Sequence, residues 1–498
     1  MPKIEKVMLI FPPERVCSVY ENFVCAPTGL AYLASVIRGK YEVMILDAKS
    51  LGYDNEVAID WNFSQFGLSY ENILSEIEKF APQVVGLSCL FSNQFDIIKE
   101  LCQKIKKLSP EIVTVTGGTH PSFLPAESLQ RAPEIDYIII GEGEESFPQL
   151  LEAIEKGFGL EQIDGLAWRE KGEPRVNPKT KFIQDLDTLP FPARDLLPMD
   201  LYFKVNMPFM FYAKSPRNVS FSTSRGCPFK CAFCSSCNYW GNRIRYRSIG
   251  NVMSELREII AKFRIEDVKF EEDNLLVNRK RAKKLFKAMI EEKLKLTWNM
   301  PNGAYIPSLL DEELVKLMKE SGCFEVIMAF ETGTQEVMDK IIHKPLDLKI
   351  AERAIANLRA NDIDIHAFFI VGFPGETKEQ IKNTFRFARK IGLDHSYVFM
   401  FNPLPGSTLY QECIDKGYYD REMVYRANYG NTGLTTDQFN PTWLRKRQYA
   451  FTVGQNLEMM FHHPVKLFTK YMGRVANPQH SGAITRALRG TFLSFIKD

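Results

Sequence analysis

The stretch Ser224-Arg-Gly-Cys-Pro-Phe-Lys-Cys-Ala-Phe-Cys-Ser-Ser-Cys237 decides how the rest of the chain is interpreted. It places Cys227, Cys231 and Cys234 in C-x3-C-x2-C spacing, after a short strand-like run and before a helical segment. A loop of this length can hold three thiolates against one face of an iron-sulfur cube, which leaves the fourth iron without a protein ligand. The spacing therefore predicts a cluster with one iron open to chemistry.

A structural zinc site is the competing interpretation, because Cys237 adds a fourth thiol and zinc accepts four cysteines. Structural zinc sites usually consist of two separated cysteine pairs, whereas these cysteines crowd into one short run. The spacing favours the iron-sulfur cluster and leaves Cys237 as a packed thiol. The other six cysteines have no ligand-like spacing and are interpreted as buried thiols: Cys17, Cys25, Cys89, Cys102, Cys323 and Cys413.

With Phe233 before the third cysteine, the motif resembles the C-x3-C-x-aromatic-C signature of the radical S-adenosylmethionine (SAM) enzymes. The resemblance implies a 4Fe-4S cluster on Cys227, Cys231 and Cys234, with SAM chelated to the open iron. It also implies that Phe233 lies against the adenine of SAM. In that family the reduced cluster cleaves SAM to methionine and a 5′-deoxyadenosyl radical, which removes hydrogen from an unactivated C–H bond.

Length and composition limit the number of domains, the kinds of partner and the location that can be expected. A chain of 498 residues with 45% hydrophobic and 25% charged residues is typical of a globular protein of about three domains. The net charge of +2 gives no global basic field, so nucleic acid is not expected as a partner. Ten irregularly spaced cysteines, no signal peptide and no long apolar run predict a cytoplasmic protein, or one peripheral to the membrane.

The N-terminal part alternates strand and helix patterns. Short runs rich in Val, Ile and Leu predict buried parallel strands at residues 6–11, 42–47, 84–90, 112–116 and 137–140. Helical patterns lie between and after them, at residues 30–38, 70–79, 95–107 and 147–155. This order predicts an α/β, doubly wound, Rossmann-like domain over residues 1–160, whose ligands bind beyond the carboxyl ends of the strands.

Glycines follow the fourth and fifth of these strands. Taken alone they are explained by tight turns, since short glycine motifs are weak signals. The runs Thr116-Gly-Gly-Thr-His-Pro-Ser-Phe-Leu-Pro125 and Ile140-Gly-Glu-Gly-Glu-Glu145 nevertheless resemble the cobalamin-binding domain of the anaerobic Mg-protoporphyrin ester cyclases and their methyltransferase relatives. That resemblance covers residues 1–415 and includes the joining segment Phe191-Pro-Ala-Arg-Asp-Leu-Leu-Pro198.

The resemblance implies that the N-terminal domain binds cobalamin. The pocket residues that it implies are Ser88, Gly117, Gly118, His120, Gly141, Glu142 and Gly143. The D-x-H-x-x-G motif, whose histidine ligates cobalt in other cobalamin domains, is absent. Radical SAM relatives commonly lack it, so its absence does not exclude the cofactor. A hairpin and linker are expected over residues 161–215.

After the cysteine loop the alternation of strand and helix resumes. Six strands, at residues 218–223, 268–270, 296–299, 326–330, 366–371 and 397–401, predict a partial (β/α)6 TIM-like barrel over residues 216–415. Polar or glycine residues follow several of these strands, and helix caps and turns explain each of them singly. Their barrel order matches the SAM elements of the family, which implies SAM contacts at Phe233, Glu272, Asp273, Glu331, Gly372 and Gly375.

The C-terminal residues 416–498 predict a helical region with uneven charge. From Pro441 onward the chain carries nine basic and two acidic residues. One helix is expected at residues 448–462, and a second amphipathic one around residues 484–496. Two interpretations stay open: a helical cap on the barrel, or an interfacial helix that brings the enzyme to an anionic membrane.

The resemblance implies a cobalamin-dependent radical SAM C-methyltransferase, in which methylcobalamin delivers its methyl group to a substrate radical. An oxidative cyclase or carbon–carbon bond-forming enzyme with the same cofactors shares every motif. An RNA-modifying enzyme and a non-catalytic cofactor-binding protein are further alternatives, which assays of SAM cleavage and of the product distinguish. Expected partners are a small-molecule, lipid-like or tetrapyrrole substrate and an electron donor such as flavodoxin or ferredoxin.

Overall fold

The computed structural model describes residues 3–17, 23–59, 63–208, 213–426 and 434–462. Within these ranges the strands form a seven-stranded and a six-stranded sheet, with two small sheets beside them. The two large sheets are the predicted Rossmann-like domain and the predicted partial barrel, so the fold class is confirmed.

In the described part of residues 3–176, the first large sheet and its surroundings comprise ten strands and seven helices. The strands are β1 (Lys6–Phe11), β2 (Glu14–Cys17), β3 (Glu42–Asp47), β4 (Glu56–Ala58), β5 (Phe63–Phe66), β6 (Val84–Ser88), β7 (Val113–Gly117), β8 (Tyr137–Ile139), β9 (Leu166–Glu170) and β10 (Glu173–Val176). The helices are α1 (Thr28–Ile37), α2 (Ala48–Leu51), α3 (Tyr70–Phe80), α4 (Phe95–Leu108), α5 (Thr119–Phe123), α6 (Pro125–Arg131) and α7 (Ser146–Lys156).

The large sheet has the order β10-β9-β8-β7-β6-β1-β3. Its parallel strands β1, β3, β6, β7 and β8 follow the 2-1-3-4-5 order of flavodoxin-like folds, in which ligands bind where the strand order reverses. Here the reversal lies between β1 and β6, so the carboxyl ends of those two strands border the expected ligand crevice. Ser88, the last residue of β6, lies at this point.

The predicted hairpin adds two antiparallel strands to this sheet, because β9 pairs with β8 and β10 pairs with β9. A boundary at residue 160 therefore falls within one continuous sheet. A second, three-stranded sheet of order β2-β5-β4 was not expected from the sequence. Its strands are short, and β4 is exposed along its whole length, so no hydrophobic alternation marks them.

The linker ends in helix α8 (Met199–Val205) and is packed against the barrel. Arg194, from the quoted joining segment, is buried and forms an ion pair with Glu255. The second oxygen of Glu255 binds Arg247, and Arg194 also lies 3.4 Å from the backbone oxygen of Ser220. The joining segment is therefore anchored to the first barrel strand and its neighbours.

The barrel region contains eight strands and eight helices. The strands are β11 (Asn218–Phe221), β12 (Ser224–Arg225), β13 (Arg245–Tyr246), β14 (Asp267–Phe270), β15 (Thr297–Ala304), β16 (Cys323–Glu331), β17 (Asp364–Val371) and β18 (His395–Met400). The helices are α9 (Ser236–Trp240), α10 (Ile249–Phe263), α11 (Arg279–Glu291), α12 (Glu312–Glu320), α13 (Gln335–Val337), α14 (Ala351–Ala360), α15 (Lys378–Lys390) and α16 (Thr408–Asp415).

Six of these strands form a parallel sheet in chain order, β11-β14-β15-β16-β17-β18, as a partial barrel requires. Buried aromatic residues hold the helices against its outer face; Trp298 of β15, for example, stacks on Phe286 of α11 at 4.9 Å between ring centroids. In β17 and β18, buried and half-buried residues alternate. One face of each strand is thus covered by helices, and the other opens to a partly accessible lumen.

Helix α17 (Pro441–His462) covers the last barrel strand. The amide of Gln448 donates to the backbone oxygen of Val398 at 2.6 Å, and Gln455 binds both backbone groups of Ser396. These side chains satisfy part of the exposed edge of β18, which is the protection that an open sheet edge needs. The packing agrees with the cap interpretation for residues 448–462, while the second predicted helix lies outside the described residues.

In the described part of the chain, no helix has the length and hydrophobicity needed to cross a bilayer.

Candidate active site

The cysteine loop begins at Gly226, directly after β12. This residue has φ = +94°, and a Cβ atom there would lie 2.5 Å from the backbone oxygen of Arg243. Only glycine fits both the backbone angle and the close approach. The loop is also tied to the barrel, because Ala232 donates to the backbone oxygen of Ile342 and accepts from Leu409, both at 2.9 Å.

The three motif cysteines are half-buried. Burial is the main cause that raises the pKa of each thiol, to about 11 for Cys231 and about 12 for Cys234. The charges of the neighbouring cysteines raise the pKa of Cys234 further, which places the three sulfurs in one neighbourhood. The backbone N–H of Ser236 donates to the Cys234 sulfur at 3.4 Å.

The three motif thiols match the donor set of an iron-sulfur cluster with one open iron. Cys237 is buried in α9, and its charge also contributes to the raised pKa of Cys231, so this fourth thiol lies nearby. A cube binds each thiolate through a different iron, so it needs the three sulfurs on one face and not around one point.

Asn274 is a further polar group beside the cluster loop. Its amide nitrogen lies 4.0 Å from the Cys227 sulfur, and its amide oxygen is buried without a hydrogen-bond partner. A buried polar atom without a partner is costly, so this oxygen indicates a position where a bound group supplies a donor. It follows β14, in the segment where the sequence predicts contacts to SAM.

The two predicted carboxylates after β14 have different surroundings. Glu272 is buried and accepts hydrogen bonds from the backbone N–H and hydroxyl of Thr223, at 2.7 and 2.6 Å, and from Ser224. Asp273 accepts from the Ser236 hydroxyl at 2.6 Å, and its charge reaches Cys227 and Cys234. Glu272 therefore positions the start of the cysteine loop, and Asp273 is the carboxylate nearer to the thiols.

Glu331 ends β16 at a β-bulge and has a left-handed backbone, with φ = +65°. Its carboxylate forms an ion pair with Lys344 at 2.7 Å, and the same ammonium binds the backbone oxygen of Ala329. The charge of Lys344 lowers the pKa of Cys231 against the larger effect of burial. Lys344 is thus a cation beside the thiols that motif spacing did not predict.

Gly372 and Gly375 lie in the loop after β17, both with positive φ. Glu376 closes this loop by accepting the backbone N–H groups of Gly372 and Phe373, at 2.7 and 3.0 Å. Burial raises the pKa of Glu376 to about 8. The Phe373 ring lies 5.9 Å from that of Phe233, which brings this loop next to the aromatic residue of the motif.

On the other side of the interface, the predicted cobalamin residues follow β6, β7 and β8. Ser88, Gly117, Gly118 and Gly141 are half-buried at the ends of these strands. Gly118 has φ = +108°, and a Cβ there would lie 2.5 Å from the backbone oxygen of Cys89. The strand ends are therefore bare backbone, which suits the close approach of a bulky ligand.

His120 is packed rather than open to this crevice. Its ring is 2% exposed and contacts the rings of Phe95 and Tyr425, while Nδ1 lies 2.8 Å from the hydroxyl of Ser92. Burial lowers its pKa to about 3, so the imidazole is neutral, and Nε2 is buried without a partner. Its role in the pocket stays a prediction, and the packing counts against direct cobalt ligation.

Glu142 has a role that its motif did not predict. Its fully buried carboxylate binds Arg225 at 2.8 Å and Arg245 at 2.7 Å, and Glu144 binds Arg225 at 2.6 Å. These arginines belong to β12 and β13, the hairpin that carries the cysteine loop. Gly143 is buried against Leu33 and sets the close packing of this turn. The carboxyl ends of the two large sheets therefore meet at one ion network.

Comparison with known proteins agrees with this arrangement. Residues 20–151 match the B12 binding domain, and residues 221–388 match the radical SAM superfamily. The cytidylyl-2-hydroxyethylphosphonate methyltransferase of Streptomyces wedmorensis is 32% identical over 458 residues, which are 86% of this chain and 85% of that protein. The chain belongs to the cobalamin-dependent radical SAM methyltransferases. Membership confirms that it is an enzyme and confirms its three cofactors: cobalamin, SAM and a 4Fe-4S cluster.

Two further comparisons place this methyltransferase among its relatives. The anaerobic magnesium-protoporphyrin IX monomethyl ester cyclase of Rubrivivax gelatinosus is 28% identical, over 78% of this chain and 66% of that protein. The radical SAM methyltransferase TsrM from Kitasatospora setae is similar in fold, with a TM-score of 0.66 at 18% identity, over 83% of this chain and 76% of that one.

The sequence did not identify every residue that builds the methyltransferase site. Arg225 and Arg245 flank the cysteine motif, yet no spacing marks them as partners of a turn about a hundred residues earlier. Asn274 and Lys344 were likewise not assigned to the site. For Asn274 a signal existed, since it directly follows the two predicted carboxylates.

Proposed function

We propose that this methyltransferase transfers a methyl group to an unactivated carbon of a small, polar substrate. The observation that carries the proposal is the ion network of Glu142, Arg225 and Arg245, which joins the carboxyl ends of the two large sheets. A substrate at this interface has the cobalamin crevice on one side and the cluster loop on the other. When bound, the cofactors supply the radical chemistry and the methyl group.

In this proposal the chain's own residues bind and orient. Cys227, Cys231 and Cys234 hold the cluster, and Asp273, with its pKa raised by burial, lies where it can accept from the SAM ammonium. Phe233 and the Phe373 ring, 5.9 Å apart, border the adenine site. The remaining predicted SAM positions are Glu272, Glu331, Gly372 and Gly375. The cobalamin positions are Ser88, Gly117, Gly118, His120, Gly141, Glu142 and Gly143.

The polar substrate class is supported by one observation. The Streptomyces relative that covers 86% of this chain is named for a cytidylyl-linked hydroxyethylphosphonate.

The test is anaerobic reconstitution with iron, sulfide and hydroxocobalamin, followed by reaction with dithionite as the electron source and SAM that carries a CD3 group. Cytidylyl-2-hydroxyethylphosphonate is the first probe substrate. We expect 5′-deoxyadenosine, S-adenosylhomocysteine and a product that gains one labelled methyl group. The matched control is the Cys231→Ala variant, which removes a cluster ligand and is expected to form none of the three products.

Oxidative cyclisation is the second candidate function, because the Rubrivivax cyclase shares 78% of this chain at 28% identity. A cyclase also forms 5′-deoxyadenosine. Its product differs from the substrate by the hydrogens removed and carries no added methyl group. Product mass without the CD3 label would therefore contradict methyl transfer. RNA modification is tested in the same reaction by replacing the probe with bulk RNA and digesting it to nucleosides.

We also propose the domain limits given by the sequence: residues 1–160, 161–215, 216–415 and 416–498. The hairpin at β9 and β10 argues for including residues up to 177 in the first unit. A cytoplasmic location, with membrane contact through residues 484–496, belongs to this proposal as well. Vesicle flotation of the full chain, with and without residues 463–498, tests the membrane contact.

A further inference from the structure

A shallow hollow in the surface lies beside the cysteine loop. Its lining includes Pro228, which is bonded to Cys227, and three basic residues that we call the rim: Arg243, Arg279 and Lys280. Tyr246 also lines the hollow, and this residue pairs with Ser224 in the hairpin that carries the loop. The hollow therefore reaches to within one residue of a cluster cysteine.

The rim is basic, and its charged groups are exposed to solvent. Arg243, Arg279 and Lys280 are exposed, as is Lys230 within the loop. Within the described ranges, these four cations form no ion pair, because the nearby carboxylates have other partners. Asp311, whose pKa the charge of Arg279 lowers, binds Lys283 at 2.8 Å.

Glu272, whose charge acts on Tyr246 in the hollow, is also engaged. It is buried, and its oxygens accept hydrogen bonds from Thr223 and Ser224. The positive charge at the rim is therefore not neutralised within the hollow. Clefts lined by one sign of charge concentrate ligands of the opposite sign and speed their association.

We propose that this basic hollow is the docking site of an acidic, one-electron carrier protein of the flavodoxin or ferredoxin class. The proposal rests on the proposed function, in which the cluster must receive an electron before SAM is cleaved. In the docked complex one electron leaves the carrier and enters the cluster beside Cys227. The carrier is oxidised by one electron, the cluster is reduced by one, and no bond forms or breaks in this step.

The chemistry of the rim favours a protein over a small anion. Three exposed cations around an open, shallow depression match an acidic surface patch, whereas a bound small anion needs buried donors that converge on it. Arginine is also enriched at protein interfaces, where its fork binds carboxylates in two places. Substrate binding at the hollow is the competing role, and the experiment includes it as an outcome.

The experiment compares two triple variants of the reconstituted enzyme. The first, Arg243→Glu/Arg279→Glu/Lys280→Glu, reverses the rim. The second, Lys107→Glu/Lys295→Glu/Lys390→Glu, makes the same change in net charge at exposed residues shortly before β7, β15 and β18. Those residues lie toward the opposite ends of the sheets. None of the six residues belongs to the proposed cofactor sites.

The rate of cluster reduction by chemically reduced flavodoxin is followed by stopped-flow absorbance, at low and high salt. For the rim variant we expect a roughly 10- to 100-fold slower reduction at low salt and loss of the salt dependence. The control variant should stay within about twofold of the unchanged enzyme. Reduction by dithionite, a small reagent that needs no docking site, should be equal in all three proteins.

Two outcomes would overturn the docking site: a rim variant that flavodoxin reduces as fast as the control, or one that no longer cleaves SAM even with dithionite. The second would assign the hollow to the substrate or to the cluster itself. Failure of the proposed function looks different, because the unchanged enzyme would then cleave no SAM with dithionite. Docking is still decided in that case, by the affinity of oxidised flavodoxin for the unchanged chain and for the rim variant.

Discussion

At the scale of single residues, the cysteines of one short run have different roles. Cys227, Cys231 and Cys234 lie in the loop and influence one another's pKa, while Cys237 is buried in the short helix that follows. Spacing alone left a four-cysteine zinc site open. We assign the proposed cluster site to the three loop thiols, which carry the family motif.

Replacing these cysteines one at a time tests this division. We expect alanine at position 227, 231 or 234 to lower the iron content of the anaerobically reconstituted chain from about four atoms to less than one. Cys237→Ala, the matched control, should keep its iron, because that thiol only packs. Iron and sulfide analysis measures both. Equal iron loss in all four variants would contradict the assignment.

Glu376 makes stability depend on pH. Burial raises its pKa from 4.5 to about 8, so the folded chain keeps a proton that the unfolded chain has released. The favourable contribution of protonated Glu376 to the free energy of unfolding is complete below about pH 4.5 and is lost as the pH rises through about 8. We expect Glu376→Gln to melt several degrees above the unchanged protein at about pH 9, on the order of 2 kcal/mol.

At about pH 5 the same variant should melt within a degree or two of the unchanged protein, since both side chains are then neutral. Glu379→Gln is the control, because this exposed carboxylate has its pKa lowered by Arg386. Thermal scans at both pH values decide the matter. An increase in the melting temperature of Glu376→Gln that is the same at both pH values would show that proton release does not cause the stabilisation.

At the scale of elements, the hairpin of β12 and β13 determines the shape of the cysteine loop. Position 226 needs glycine, because a Cβ atom there would lie 2.5 Å from the backbone oxygen of Arg243. Glu272 holds the first strand of the same hairpin through Thr223 and Ser224. We therefore expect the protein itself to shape the loop before iron binds.

Gly226→Ala tests this element, with Gly159→Ala as its matched control. Both glycines have positive φ, +94° and +99°, but a Cβ at Gly159 meets nothing within 4 Å. The control should cost about 1 kcal/mol from backbone strain alone. Gly226→Ala adds a clash with backbone, so we expect a larger drop in melting temperature and a loss of bound iron. Iron retained at the control level would argue against a preformed loop.

Strands with a strong hydrophobic pattern were predictable from the sequence. Short exposed strands, and contacts between residues far apart in the chain, were not. The strands at residues 6–11 and 42–47 agree with the structure to the residue, because runs rich in Val, Ile, Leu and Met mark them. The small sheet of β2, β4 and β5 lacks that pattern. The contacts of Glu142 depend on residues about a hundred positions away, which no local pattern encodes.

At the scale of the whole molecule, the two large sheets meet with their carboxyl ends facing. The contact is made by buried charges, with Glu142 between Arg225 and Arg245. A second contact brings the C-terminal part back onto the first domain, where Tyr425 binds Glu127 at 2.6 Å. Both contacts fix the relative position of the two proposed cofactor sites.

Glu142→Gln tests the first contact. Removing one charge leaves two buried arginines short of a partner, and a broken buried ion pair costs about 3–5 kcal/mol. We expect a lower melting temperature and faster proteolysis in the linker that joins the two sheets. Glu170→Gln, which removes an exposed ion pair with Arg175, should shift the melting temperature by no more than about 1 °C. Similar behaviour of the two variants would contradict the role of the network.

The ion network also has a consequence for how a newly made chain matures. Synthesis proceeds from the N-terminus, so the domain that contains Glu142 and Glu144 emerges and folds before Arg225 and the cysteines leave the ribosome. Glu142 and Glu144 are then already in place when the hairpin that carries Arg225 and Arg245 is made, and the arginines can bind to them. The cluster cysteines therefore become available only after the domain that contains Glu142 and Glu144 has been made.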